Sequence, residues 1–209
     1  MQIKVCGLTQ AVDVSHALSL QADQLGFIFY PKSPRCVNGD MVELLVEPVP
    51  REKRVAVDVC PSLDKIHQLK STGFSCFQIH FDLSVKDETL QQWCDSVGAG
   101  NLWLAPKFSA EIAFPERLFN YADTFLMDTF TEKGFGGSGK TGSWDKFSDY
   151  QSQYPDKHWI LAGGLNPDNI QQAIGESSAQ HVDVNSGIES APGIKDLDQV
   201  NKFFEKFKS

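Results

Sequence analysis
The sequence predicts one α/β domain over residues 1–209, folded as a (β/α)8 TIM barrel of near-minimal length. Three observations point there. Eight short apolar runs rich in Val, Ile and Phe alternate strictly with helix-like segments, which is the pattern of a parallel sheet with helical crossovers. No Pro/Gly/Ser linker, charge block or low-complexity stretch interrupts the alternation. Shared over eight units, 209 residues give about 26 each, near the lower limit for such a barrel and too few for a second domain. The competing architecture, a doubly wound open sheet, normally has fewer strands and splits near a switch point.

The elements follow in order. IKVCGL (3–8) reads as the first strand and 9–21 as its helix; LGFIFY (25–30) is followed by a helix over 39–47. RVAVDV (54–59) precedes a helix opened by Pro61 and Ser62, since Pro in the first turn loses no hydrogen bond. Leu63, Ile66 and Leu69 give that helix one apolar stripe. FSCFQIH (74–80) leads to a helix over 86–96, and NLWLAPKF (101–108) to a short one near 115–121. TFLMDTF (124–130) is followed by a glycine-rich loop and a helix from Ser143. HWILAGG (158–164) precedes NPDNIQQAI (166–174), with Asn166 or Asp168 near the cap. HVDVNS (181–186) is the eighth run. The last helix spans 195–208, where Leu197, Val200, Phe204 and Phe207 share a face.

Composition narrows the function. Nineteen Lys and Arg against 27 Asp and Glu give −8, which argues against nucleic-acid or anionic-membrane partners. A small anionic ligand stays open, because backbone amides can hold one without net positive charge. No run of 18 apolar residues is present, and MQIKVCGLTQ reads as a strand rather than a signal peptide. Cys6, Cys36, Cys60, Cys76 and Cys94 are odd in number and form no C-x-x-C pair, so free thiols in a reducing cytoplasm are expected. The histidines supply no zinc cluster with them.

In a barrel, functional residues gather at the C-terminal strand ends. Those ends carry Cys6–Gly7, Arg35 in PKSPR, Asp58, His80, Asp128, Gly163–Gly164 and Asn185–Ser186–Gly187. Cys6 and Asp128 are the candidates for proton transfer: a thiolate near positive charge is a base, and a carboxyl in a partly dry cleft an acid. The plainer readings are a small buried apolar cysteine and a loop-capping carboxylate. Arg35 follows two prolines in a conformationally restricted loop, and suits a planar carboxylate or is simply a solvated surface arginine. His80 is a substrate donor or a half-buried strand-end histidine. AGGL (162–165) and NSG (185–187) together favour a phosphate site over mere tight turns.

GFGGSGKT (134–141) also satisfies the phosphate-loop pattern of nucleotide hydrolases, with Asp183 a weak candidate for metal. Gly142 follows at once, and about 68 residues remain, little for such a sheet. The segment is read as a glycine-rich lid after strand six.

With these residues on view, the chain resembles the phosphoribosylanthranilate isomerase family of tryptophan biosynthesis. The resemblance covers nearly all of it: KVCGLT (4–9), GFIFYPKSPR (26–35), QIH (78–80), LMDT (126–129), GGSGKT (136–141), LAGGLNPDN (161–169) and VDVNSGIESAPGIKD (182–196). It implies a (β/α)8 barrel and an Amadori rearrangement of a phosphorylated small molecule, with no metal or organic cofactor. It implies Cys6 as general base at the second sugar carbon and Asp128 as general acid at the ring oxygen. Arg35 would meet the anthranilate carboxylate, His80 and Asp183 the rest of the substrate. Gly163, Gly164, Asn185, Ser186 and Gly187 would hold the phosphate. A cytoplasmic monomer or homodimer is expected, without nucleic-acid or membrane partners.

Three positions depart from the family's usual residues: Asp58 for Phe, Phe81 for Gly and Asn185 for Ser. A carboxylate at 58 near Cys6 would oppose thiolate formation. Strand alternation puts Lys4 beside Cys6, so a buried Lys4 needs an acid, either Asp58 or Asp183. Phe81 would supply aromatic packing lost at 58. Two other readings stay open: a P-loop nucleotide hydrolase, and a non-catalytic sugar-phosphate binder on the same barrel.

Overall fold
The computed structural model describes residues 1–108, 112–128 and 144–207; the GFGGSGKT segment lies outside the described residues. Eight parallel strands close on themselves in chain order: β1 (Gln2–Val5), β2 (Gln24–Ile28), β3 (Arg54–Val59), β4 (Cys76–Asp82), β5 (Leu102–Lys107), β6 (Thr124–Met127), β7 (His158–Leu161) and β8 (His181–Val184). Closure is made by β8 against β1, from Gln2↔His181 to Val5↔Val184. A closed parallel barrel excludes the open sheet.

The crossovers are α1 (Ala11–Ser19), α2 (Asp40–Val46), α3 (Leu63–Ser71), α4 (Asp87–Val97), α5 (Trp144–Gln153), α6 (Ile170–Ser177) and α7 (Leu197–Glu205). Between β5 and β6 the expected helix is only a 3₁₀ turn, Glu116–Asn120. An aromatic cluster fills the room a longer helix would take. Phe114 packs at 5.0 Å on Trp159 and 5.2 Å on Phe125 and Phe119, and Tyr150 stacks on Trp159 at 5.9 Å. Such pairs add about 0.5–1.5 kcal/mol beyond their burial.

Pro61 lies one residue before the cap of α3, not in its first turn; Ser62 is the cap, its hydroxyl accepting from the Lys65 amide at 3.3 Å. The Asn166 side chain accepts from the amides of Asp168 and Asn169 at 2.9 and 3.1 Å, which settles the turn before α6. On α7 the fully buried residue is Phe203, beside Val200 and Phe204. The hairpin of β9 (Glu189–Ala191) and β10 (Ile194–Lys195) is not legible as strands in the sequence.

Strand alternation sorts the side chains into two layers. Val55, Val57, Trp103, Ala105, Leu126, Ile160, Ala162 and Cys6 form the barrel interior, while Val5, Phe27, Ile79, Phe81 and Phe125 face the helices. The interior is unusually polar for its size, holding Lys4, Gln78, His181 and Asp183, all buried.

Candidate active site
A cavity of about 480 Å³ opens at the C-terminal ends of the strands. Its lining brings together Cys6 (after β1), Arg35 (after β2), Asp58 (β3), His80 (β4), Asp128 (after β6), Gly163 and Gly164 (after β7), and Asp183, Asn185 and Ser186 (β8 and after). Gly187 does not line it. Its Cα packs against the β7 loop so closely that a Cβ would overlap the Leu165 carbonyl oxygen.

On β1, Lys4 and Cys6 point the same way, and both press on Gly26: a Cβ there would lie 2.7 Å from the Cys6 sulfur and 2.9 Å from Lys4 Nζ. Lys4 is wholly buried and donates to Asp183 Oδ1 at 3.0 Å. Of the two acids considered, Asp183 is therefore the partner. Burial opposes the Lys4 charge, but Asp183 and then Cys6 hold the ammonium above its ordinary range. Burial pushes the Asp183 carboxyl up against the pull of Lys4.

Burial also raises the Cys6 thiol, outweighing the Lys4 cation that draws it down; Asp183 adds to the rise. The cation expected to activate Cys6 is present, yet the ligand-free site favours the thiol. Asp58 plays no part in this. It lines the cavity rim one residue after the inward-facing Val57, and its Oδ1 accepts from the neighbouring Val59 amide at 2.7 Å. Burial raises its carboxyl. Phe81, unlike Asp58, does not line the cavity; it lies edge-on to Trp93 at 5.8 Å, so it does not replace aromatic packing there.

His80 Nε2 lies 2.8 Å from the Gln78 side-chain amide, and burial followed by the Lys4 charge lowers its pKa to about 4. It is a neutral hydrogen-bonding group near pH 7. Asp128 is exposed at the end of β6, not in the partly dry setting expected of it. Gly163 and Gly164 take φ of +91° and +67°, which glycine adopts without strain. Ser186 starts a 3₁₀ turn, whose first amides have no partner within the turn.

Arg35 is not solvated. Its Nε and Nη2 donate to Glu189 at 2.8 and 2.6 Å, and Lys195 Nζ donates to the same Glu189 at 3.0 Å. Sequence reasoning does not reach Glu189, Lys195 or Gln78; only the hairpin and the closed barrel bring them to the rim. Among the described residues, no group of three or more His, Cys, Asp or Glu is placed to hold a metal ion.

Residues 3–206 match the family described as N-(5'phosphoribosyl)anthranilate (PRA) isomerase. The chain belongs to the phosphoribosylanthranilate isomerase family. N-(5'-phosphoribosyl)anthranilate isomerase of Gloeothece citriformis is 33% identical over 99% of this chain and 93% of its own length. Its counterpart in Nostoc punctiforme is 34% identical over 100% and 99%. The crystal structure of phosphoribosylanthranilate isomerase from Thermotoga maritima superimposes with a TM-score of 0.84 at 32% identity, covering 98% of this chain and 97% of that one. Another isomerase structure, at 28% identity and TM-score 0.77 over 98% and 97%, was solved with reduced 1-(o-carboxyphenylamino)-1-deoxyribulose 5-phosphate. Among the described residues no helix is long and apolar enough to cross a membrane.

Proposed function
We infer that this cavity performs the family's isomerisation of N-(5'-phosphoribosyl)anthranilate in tryptophan biosynthesis, with Cys6 and Asp128 as the proton-transfer pair. The activity rests on the family match; the observation that carries the residue assignment is the convergence of Cys6, Asp128, Arg35 and the two glycine-bearing loops on one cavity. Asp128 protonates the ribose ring oxygen as the anilino nitrogen expels it, giving an open-chain iminium. That cation acidifies the hydrogen on the second sugar carbon, and the Cys6 thiolate removes it. The resulting enolamine tautomerises to the ketone, so atoms and charge balance without a redox partner.

The phosphate sits on the amides of Gly163, Gly164 and Ser186, with Asn185 at their edge and Gly187 holding the two loops together. Arg35 takes the anthranilate carboxylate, and neutral His80 and Asp183 contact the sugar. The five cysteines, all free thiols, fit a cytoplasmic setting.

The deciding experiment is turnover of phosphoribosylanthranilate by the purified protein in buffer with chelator. Cys6→Ala and Asp128→Ala should each lower kcat about 10²- to 10⁴-fold, as removal of a positioned acid or base does. Wild-type protein that is folded and binds the reduced product analogue, yet shows no turnover, would mark it instead as a non-catalytic sugar-phosphate binder.

A further inference from the structure
The Arg35 guanidinium is held by groups that do not themselves line the cavity. Glu189 accepts Arg35 Nε on Oε1 and Arg35 Nη2 on Oε2, a two-point grip that fixes the plane of the guanidinium. Glu189 is held in turn. Lys195 Nζ donates to its Oε1 at 3.0 Å, and the Gly193 amide reaches the same oxygen at 3.3 Å. Lys195 also donates to the backbone and side-chain oxygens of Asn185 at 3.1 and 3.0 Å. Its own amide is tied to Asp13 at 3.1 Å.

The side chains of Glu189 and Lys195 are 4% and 1% exposed, so neither serves as surface charge. Burial opposes ionisation of Glu189, but Arg35 and Lys195 together hold its carboxyl below the ordinary range. Two cations thus share one carboxylate, with the buried Asp13 carboxyl close to Lys195 on its far side. The grip uses Nε and Nη2, and among the described residues no acceptor takes a hydrogen bond from Nη1 of Arg35.

We propose that Glu189, braced by Lys195, is a positioning residue that turns Arg35 so that its Nη1 edge meets the carboxylate of the substrate's aromatic amine. This deepens the proposed function and rests on it. Without Glu189 the Arg35 side chain would lose a fixed plane, and affinity for the carboxylate would fall while the phosphate grip stayed intact.

The test compares binding of reduced 1-(o-carboxyphenylamino)-1-deoxyribulose 5-phosphate with its phenylamino analogue lacking the carboxylate, and with inorganic phosphate. Glu189→Gln should weaken the carboxylate-bearing ligand about 10-fold or more, the scale of a charged hydrogen bond, and leave the other two within about twofold. In turnover, KM should rise with kcat within about threefold, the pattern of lost ground-state binding. In an Arg35→Ala background, Glu189→Gln should add less than about twofold, because the interaction it supports is already gone. Should Glu189→Gln fail to fold, Glu189→Asp, which keeps the charge but shortens the reach, should show the same carboxylate-selective loss. Equal loss for the carboxylate-bearing ligand and its phenylamino analogue, or an undiminished loss in the Arg35→Ala background, overturns the proposal alone. Wild-type protein that binds none of the three overturns it together with the isomerase reading.

Discussion
The Cys6 thiol shares one wall of the barrel with the Lys4 ammonium, and burial lifts it above the ordinary thiol range despite that cation. A base of this kind works as its thiolate, so kcat/KM of the free enzyme should climb on the alkaline side, through a pKa above that of an ordinary cysteine. Lys4→Met should move that limb further up, since Lys4 lowers the Cys6 pKa and Asp183 raises it; a pH–rate profile of both proteins checks this. The same substitution leaves Asp183 buried without its ion, and urea melts should show about 3–5 kcal/mol lost, with much of it regained in Lys4→Met/Asp183→Leu. The need of Lys4 for an acid was legible from strand alternation. The choice of Asp183 over Asp58 was not. It depends on β8 closing against β1, which puts Asp183 opposite Lys4 in register, while the Asp58 carboxylate is taken by the Val59 amide on β3.

At the scale of elements, the two phosphate loops depend on a close approach that only glycine allows. Gly187→Ala would drive its Cβ into the Leu165 carbonyl, so the β7 and β8 loops must part. Overpacking of this kind costs about 1–3 kcal/mol, and isothermal titration should show weaker binding of inorganic phosphate, with turnover falling through KM. Strand positions were readable from apolar runs because both faces of a parallel sheet are buried. β3 matches its run, Arg54–Val59, while β6 and β7 stop short of theirs at Met127 and Leu161. The hairpin of β9 and β10 carried no such signal. Its residues ESA and IK are too short and too polar to read as strands, and tertiary bonds fix it: Thr9 donates to Gly193, and Glu189 grips Arg35.

Over the whole molecule, the polar barrel interior sets an acid limit on stability. His181 is buried beside His158 at 2.7 Å and edge-on to Trp103, and burial, then His158 and Lys4, lower its pKa to about 3. Between that value and 6.5 the unfolded chain binds a proton that the folded barrel refuses, so stability falls as pH drops through this window. His80, lowered to about 4, acts in the same sense, while the raised carboxyls of Asp58 and Asp13 act in the opposite one. Thermal melts from pH 6.5 to 4 should therefore show a shallower decline of Tm for His181→Gln than for the wild type. The sequence by itself determined the alternating architecture, the count of eight strands, the family and the strand-end residues, because periodicity and local chemistry are properties of neighbours along the chain. Tertiary structure alone decided which charges meet: Lys4 with Asp183, and Arg35 and Lys195 with Glu189. Those contacts join residues up to 179 positions apart, and their geometry exists only once the barrel has closed.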